Sequence, residues 1–341
     1  MSRDDPRSAS VDKVVDVLGE PYVAETIALP DDDEGPVVAT LVSRRAARPT
    51  GRAVLHVHGF CDYFFQTAAA DFWVEQGYDF YALDLRKYGR SLRPHQTPNF
   101  VTDLRDYYVE LDEAMRRVRD RDGHDHVVLS GHSTGGLITP LWAHDRQVPL
   151  AAMVLNSPWL ELQGGVMLRT VATMAVDQLG ARRPRMVLPR EVSRLYGQSL
   201  HRDHRGEWSF DLAWKPLDSW PIYLGWLRAV RRGHARMHRG LAVPAPVLVL
   251  TSGASAAPKE WDDTVDCHDI VLDVEQIRRW SHKLGDHVTT VRIPGALHDV
   301  TLSRLPVRSR AFEEIRRWLH GLGGAPAHPR SPGDAAATVA G

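Results

Sequence analysis

Apolar runs recur along this chain at 53–57, 79–83, 127–129, 152–155, 247–250 and 290–293, and most are apolar at consecutive rather than alternate positions. A strand of that kind must bury both faces, which predicts a parallel sheet covered by helices on either side. Between several of the runs lie segments with apolar residues at helical spacing, predicting helices over 68–76, 101–119, 134–144, 274–284 and 308–320. Such alternation predicts an α/β fold with a doubly wound, mostly parallel sheet. Near the start, 22–29 and 37–44 flank Asp31-Asp32-Asp33-Glu34-Gly35 and read as a hairpin on the sheet edge.

The interval 158–240 breaks the rhythm. It is helical in places, carries Trp208, Trp214, Trp220 and Trp226, contains no convincing strand, and is too long for a plain connection. The expected organisation is therefore a core from 13–157 and 241–321, a helical lid inserted at 158–240, and disordered tails at 1–12 and 322–341.

Charge and composition narrow the function classes. The 341 residues are 43% hydrophobic with a formal charge of -1, enough for one large domain with an insertion. The cations are mostly dispersed arginines, so no stripe for tracking nucleic acid is expected, and Arg182-Arg183 and Arg231-Arg232 read as solvated faces. Cys61 and Cys267 cannot build a disulfide framework. With no leader-like start and no apolar run of membrane-spanning length, the expectation is a cytoplasmic protein without a stable membrane anchor.

The chemistry gathers around Gly131-His132-Ser133-Thr134-Gly135, directly after the strand at 127–129. A serine between two glycines at a strand-to-helix turn reads as a nucleophile elbow, where side chains at 131 and 135 would clash. Such a serine needs a base, and His298 follows the final strand, at the sheet edge where α/β folds place functional groups. The base needs an acid from the loop between 250 and 298. Asp269 is preferred, with Asp273 as the alternative, because Asp273 is also well placed to cap a helix. An oxyanion hole needs two backbone amides: Thr134 follows the nucleophile, and Phe60 in His58-Gly59-Phe60 follows the strand at 53–57.

His58-Gly59-Phe60, Asp84-Leu85-Arg86-Lys87-Tyr88-Gly89-Arg90-Ser91, Gly131 to Gly136 and Gly295-Ala296-Leu297-His298 together resemble the α/β-hydrolase superfamily. Within it they resemble the branch of monoacylglycerol lipases, lysophospholipases and serine aminopeptidase S33-type domains. The resemblance implies carboxylic-ester hydrolysis through an acyl-enzyme, with Ser133, Asp269 and His298 as triad and the Phe60 and Thr134 amides as oxyanion hole. Two departures stand out: Ser255 occupies the spacing usual for the acid and an insertion at 254–268 intervenes, and Lys87-Tyr88 replaces small residues in the 84–91 loop. The pairs His56/His58 and His234/His238 have metal-compatible spacing but no third ligand, so no metal and no cofactor are expected. Trp214, Trp220 and Trp226 either line an acyl or aromatic pocket or pack the lid. The expected partner is a small lipophilic acyl or aryl ester, with no nucleic acid and an open oligomeric state. Acyl transfer, amide or aminopeptide cleavage by the same Ser133, and non-catalytic ligand binding are the alternatives.

Overall fold

The computed structural model describes residues 13–162, 176–189 and 193–322. The expected tails at 1–12 and beyond 322 lie outside them, as do 163–175 and 190–192 of the 158–240 interval. Among the described residues nine strands form one sheet in the order β1-β2-β3-β5-β4-β6-β7-β8-β9. The strands are β1 (Lys13–Val15), β2 (Val23–Asp32), β3 (Gly35–Arg44), β4 (Arg52–Val57), β5 (Asp79–Asp84), β6 (His126–His132), β7 (Ala152–Asn156), β8 (Val247–Ser252) and β9 (Val288–Ile293). From β5 to β9 every pairing is parallel, while β1, β2 and β3 join antiparallel at one edge.

The consecutive apolar residues of the inner strands divide between two cores, as a doubly covered sheet demands. Leu55 and Val57 of β4, Leu129 of β6 and Leu155 of β7 face one core, whose cover is α2 (Tyr108–Arg116), α3 (Gly135–Arg146), α5 (Leu224–Met237) and α6 (Val274–Ser281). Val54, Val128 and Val154 face the other, under α1 (Thr67–Glu75) and α7 (Leu305–Gly321).

Two details depart from the sequence pattern. The helix expected over 101–119 begins later, because the Asp103 carboxylate accepts from the Arg105 amide and caps a 3₁₀ turn, Leu104–Tyr107, that leads into α2. Strand β1 escapes the pattern altogether, since all three of its residues are exposed and carry no burial signal. Between β7 and β8 runs the insertion, whose described residues include α4 (Leu195–Leu200) and α5 but no strand.

Strand order puts the site in place. The chain leaves β4 for β5 on one side, then returns to β6 on the other, so the carboxyl ends of β4 and β6 are neighbours at a topological switch point. Val57 pairs with Gly131, which brings the loop after β4 alongside the turn after β6.

Candidate active site

Ser133 has φ +50°, the left-handed conformation a strand-to-helix elbow imposes on its central residue. The flanking glycines are required by approach. A Cβ on Gly135 would lie 2.4 Å from the carbonyl oxygens of Val57 and His58, and one on Gly131 would lie 2.7 Å from the Gly135 oxygen. Backbone bonds fix the turn on its other side, with the Ser133 N–H donating to the Asn156 oxygen at 3.1 Å and the Trp159 N–H donating to the Ser133 oxygen at 2.9 Å. Gly59 approaches as closely, since a Cβ there would stand 2.9 Å from the Ser133 Cβ. His58 braces this loop by accepting from the Leu85 N–H at Nε2 (3.0 Å) while Nδ1 contacts the Gly59 oxygen (2.8 Å). Among the described residues, neither the Phe60 nor the Thr134 backbone N–H has an acceptor. These two amides belong to the two elements that meet at Ser133.

The two acid candidates separate cleanly. Asp269 is fully buried, and its Oδ2 lies 2.9 Å from His298 Nδ1. Its Oδ1 accepts from the Val271 and Leu272 amides at 2.8 and 2.7 Å, which fixes the plane of the carboxylate. Asp273 instead caps α6 by accepting from the Glu275 amide at 3.0 Å. The 254–268 insertion resolves the odd spacing. The chain leaves the end of β8, loops out, and rejoins itself where Ser255 and Asp269 bridge, with the Asp269 N–H on the Ala254 oxygen and the Ala256 N–H on the Asp269 oxygen. Asp269 is thereby delivered beside the position that spacing alone gives to Ser255.

His298 sits against the ring of His132, with centroids 4.9 Å apart, and the edge of Tyr196 at 5.6 Å. Nδ1 is committed to Asp269, leaving Nε2 as the nitrogen able to take a proton. Beneath it lies a buried polar network that sequence reasoning missed. Asn156, at the end of β7, donates to Asp299 Oδ1 at 2.6 Å and accepts from the Val300 N–H, while Thr301 bonds the same Asp299 oxygen. Burial would raise the Asp299 carboxyl, but His132, Thr301 and Asn156 outweigh it and hold it below the ordinary carboxylate range. Burial also lowers His132. The visible signal was Asp299 itself, adjoining His298.

The second half of the insertion grips both loops. Tyr196 of α4 accepts the Asp299 N–H at 3.1 Å, Trp208 Nε1 donates to the Leu302 oxygen at 2.7 Å, and the Asp211 N–H donates to Tyr63 at 2.6 Å. Lys215, nearly buried among Phe65, Tyr196 and Phe210, pairs with the buried Asp62 at 3.0 Å, two residues past Phe60. No composition or spacing pointed to Lys215 or Tyr196, because each acts on a partner remote in sequence.

The insertion tryptophans take three different positions. Trp226 is buried, its ring 4.2 Å from Phe60, so it supports the loop after β4. Trp214 packs edge-on to Tyr63, and Trp220 donates to the Trp214 oxygen at 3.2 Å. Of the arginines read as solvated, Arg182, Arg183 and Arg232 are exposed, but Arg231 pairs with the partly buried Glu161 at 2.5 Å. The histidine pairs bond their own surroundings: His56 contacts Ser130, and His234 and His238 contact the Trp159 and Leu160 oxygens. Among the described residues no group of three His, Cys, Asp or Glu side chains could hold a metal ion.

Known proteins share this fold. A family model described as serine aminopeptidase, S33 matches residues 48–263, a span containing Phe60, Ser133 and Thr134 and ending before Asp269 and His298. The solved structures that resemble the chain include a soluble variant of monoglyceride lipase from Saccharomyces cerevisiae, at 17% identity and TM-score 0.64 over 86% of this chain and 94% of that one. They also include a monoacylglycerol lipase from Paleococcus ferrophilus (20%, TM-score 0.59, 83% and 99%) and a carboxyl esterase from Bacillus coagulans (13%, TM-score 0.62, 88% and 98%). A 1-acylglycerol-3-phosphate O-acyltransferase ABHD5 of Sus scrofa is 32% identical over 79 residues, 23% of this chain and only 22% of that protein. With a family match across most of its length and the fold it shares with these structures, the chain belongs to the serine aminopeptidase S33 family and is an α/β-hydrolase.

Proposed function

We propose that the protein is a serine hydrolase of carboxylic esters that works through an acyl-enzyme. The observation that carries this reading is the buried Asp269–His298 bond at 2.9 Å beside a strained serine elbow. In this mechanism His298 Nε2 takes the Ser133 proton as Oγ attacks the ester carbonyl, and Asp269 orients the ring and stabilises the imidazolium. The Phe60 and Thr134 amides receive the developing oxyanion, each donor contributing about 3 to 4 kcal/mol to the transition state. The imidazolium then protonates the leaving alcohol. A water molecule, deprotonated by His298, releases the acid and restores Ser133.

The lipase and esterase neighbours, and an aromatic insertion acting as a lid against both loops, favour a lipophilic acyl or aryl ester. A cytoplasmic location belongs to the same reading. Among the described residues no helix is long and apolar enough to cross a membrane. The partial match to an acyltransferase supports a second reading, in which the acyl group passes from Ser133 to an alcohol rather than water. Turnover of p-nitrophenyl esters from acetate to palmitate is the test, with products analysed with and without added glycerol. Hydrolysis that rises with chain length and vanishes in Ser133→Ala is expected. Equal rates in Ser133→Ala would overturn the proposal, and glyceride as main product would establish the transferase reading.

A further inference from the structure

The charged surface of the outer helical layer carries a feature that ester hydrolysis does not use. Arg232, Arg236 and Arg239 stand at i, i+4 and i+7 on the last turns of α5 and just past its end, so helical periodicity brings them onto one stripe. Arg105, in the 3₁₀ turn before α2, faces the same groove, whose volume is about 370 Å³. Tyr108 and Leu141 form part of its apolar floor. Helix α5 can lie low here because Gly233 has no Cβ; one would be 2.8 Å from Leu104. Leu141 lies about 9 Å along α3 from Gly135, so the groove opens on the outer helical layer rather than at the elbow.

The charges in this groove do not balance. Arg105 is matched by Asp103 at 2.6 Å and Arg236 by Asp145 at 2.5 Å. Among the described residues no carboxylate lies within ion-pair distance of Arg232 or Arg239, although Arg239 Nη1 donates to the Ala235 oxygen at 3.2 Å. Asp103, which also lines the groove, acts on Arg232 from beyond contact distance, so four guanidiniums face only the carboxylates of Asp103 and Asp145. That surplus of positive charge beside an apolar floor suits one ligand chemistry. The planar forks of the guanidiniums match a tetrahedral dianion, and the floor accommodates an uncharged body attached to it.

We propose that the groove between α5 and the turn before α2 binds a phosphate monoester group, with Arg232 and Arg239 as its principal ligands. The phosphate is carried either by a soluble metabolite or by an anionic lipid headgroup. The test uses the full chain, with inorganic phosphate at constant ionic strength as one probe. Phosphatidylcholine vesicles with and without phosphatidic acid are the second. Thermal midpoint and vesicle co-sedimentation are measured for the native protein, Arg232→Gln/Arg239→Gln and Ser133→Ala. Both arginines are exposed, so the double variant should keep the native midpoint without phosphate.

The expected result is a saturable phosphate-dependent rise in midpoint or binding to phosphatidic acid vesicles alone. Either response should weaken at least about tenfold in the double variant and persist in Ser133→Ala. A response to soluble phosphate identifies a metabolite site, and a response confined to phosphatidic acid vesicles identifies a headgroup site. No saturable response to either probe, or equal binding by the double variant, would overturn the proposal.

Discussion

Two aspartates four positions apart, Asp269 and Asp273, do different work because their carboxylates meet different donors. Both oxygens of Asp269 are occupied, Oδ1 by two backbone amides and Oδ2 by His298, whereas Asp273 meets only the first turn of α6. Replacing Asp269 by Asn puts a donor where an acceptor is needed and favours the wrong His298 tautomer. Asp269→Asn should therefore lower kcat by about 10⁴-fold with little change in fold, as expected for loss of a triad carboxylate. Asp273→Ala should keep kcat within about twofold and lose about 1 kcal/mol of stability with the helix cap. Steady-state kinetics and urea unfolding of both variants check this. Loss of turnover in Asp273→Ala alone would reverse the assignment. The distinction was partly legible in the sequence, since the capping role of Asp273 follows from its place before a helical pattern. The bridge that returns Asp269 to Ser255 was not, because closing a loop is a long-range event that spacing does not record.

The hairpin of β2 and β3 and the loop after β5 meet in a cluster that neither element reveals alone. Lys87, buried and at φ +64°, pairs with Asp32 and Glu34, both at 2.6 Å, and Arg185 of the insertion reaches Glu34 at 3.2 Å. In sequence the acidic run looked like a polar turn, and Lys87 looked out of place among small residues. Each explains the other once the fold brings them together. Burial alone would raise the Glu34 carboxyl, but bonds from Lys87 and Thr97 overcome it and bring it down to about 2 from 4.5; Asp32 is lowered as well. A carboxyl depressed on folding stabilises the protein above its ordinary value, and that stability is lost as pH falls from about 4.5 towards about 2. Lys87→Met removes the ion partner, so its unfolding free energy should be lower at neutral pH and fall less steeply on acidification than that of the native protein. Urea unfolding at several pH values across that window gives both slopes. Parallel slopes would show that Lys87 does not hold these carboxylates.

Across the whole molecule, what could be read early was what repeats locally. The apolar rhythm marked the six parallel strands, β4 to β9, and the sheet with its two helical layers followed. Glycine spacing marked the elbow because the turn itself is local: at Gly131 the steric exclusion comes from Gly135 and Thr139, although at Gly135 it comes from Val57 and His58, remote in sequence. The Asn156–Asp299 network, the Lys215–Asp62 pair and the Tyr196 contact with Asp299 join residues from separate elements, and no local pattern announces them. The Lys215 and Tyr196 contacts draw the insertion onto the loops after β4 and β9. The central claim nevertheless rests on one hydroxyl. Treating the native protein with a fluorophosphonate and measuring intact and peptide masses tests it most directly. The account predicts a single adduct on the peptide containing Ser133, formed rapidly in the native protein and absent from Ser133→Ala. An unlabelled native protein, or an adduct that persists in Ser133→Ala, would contradict it.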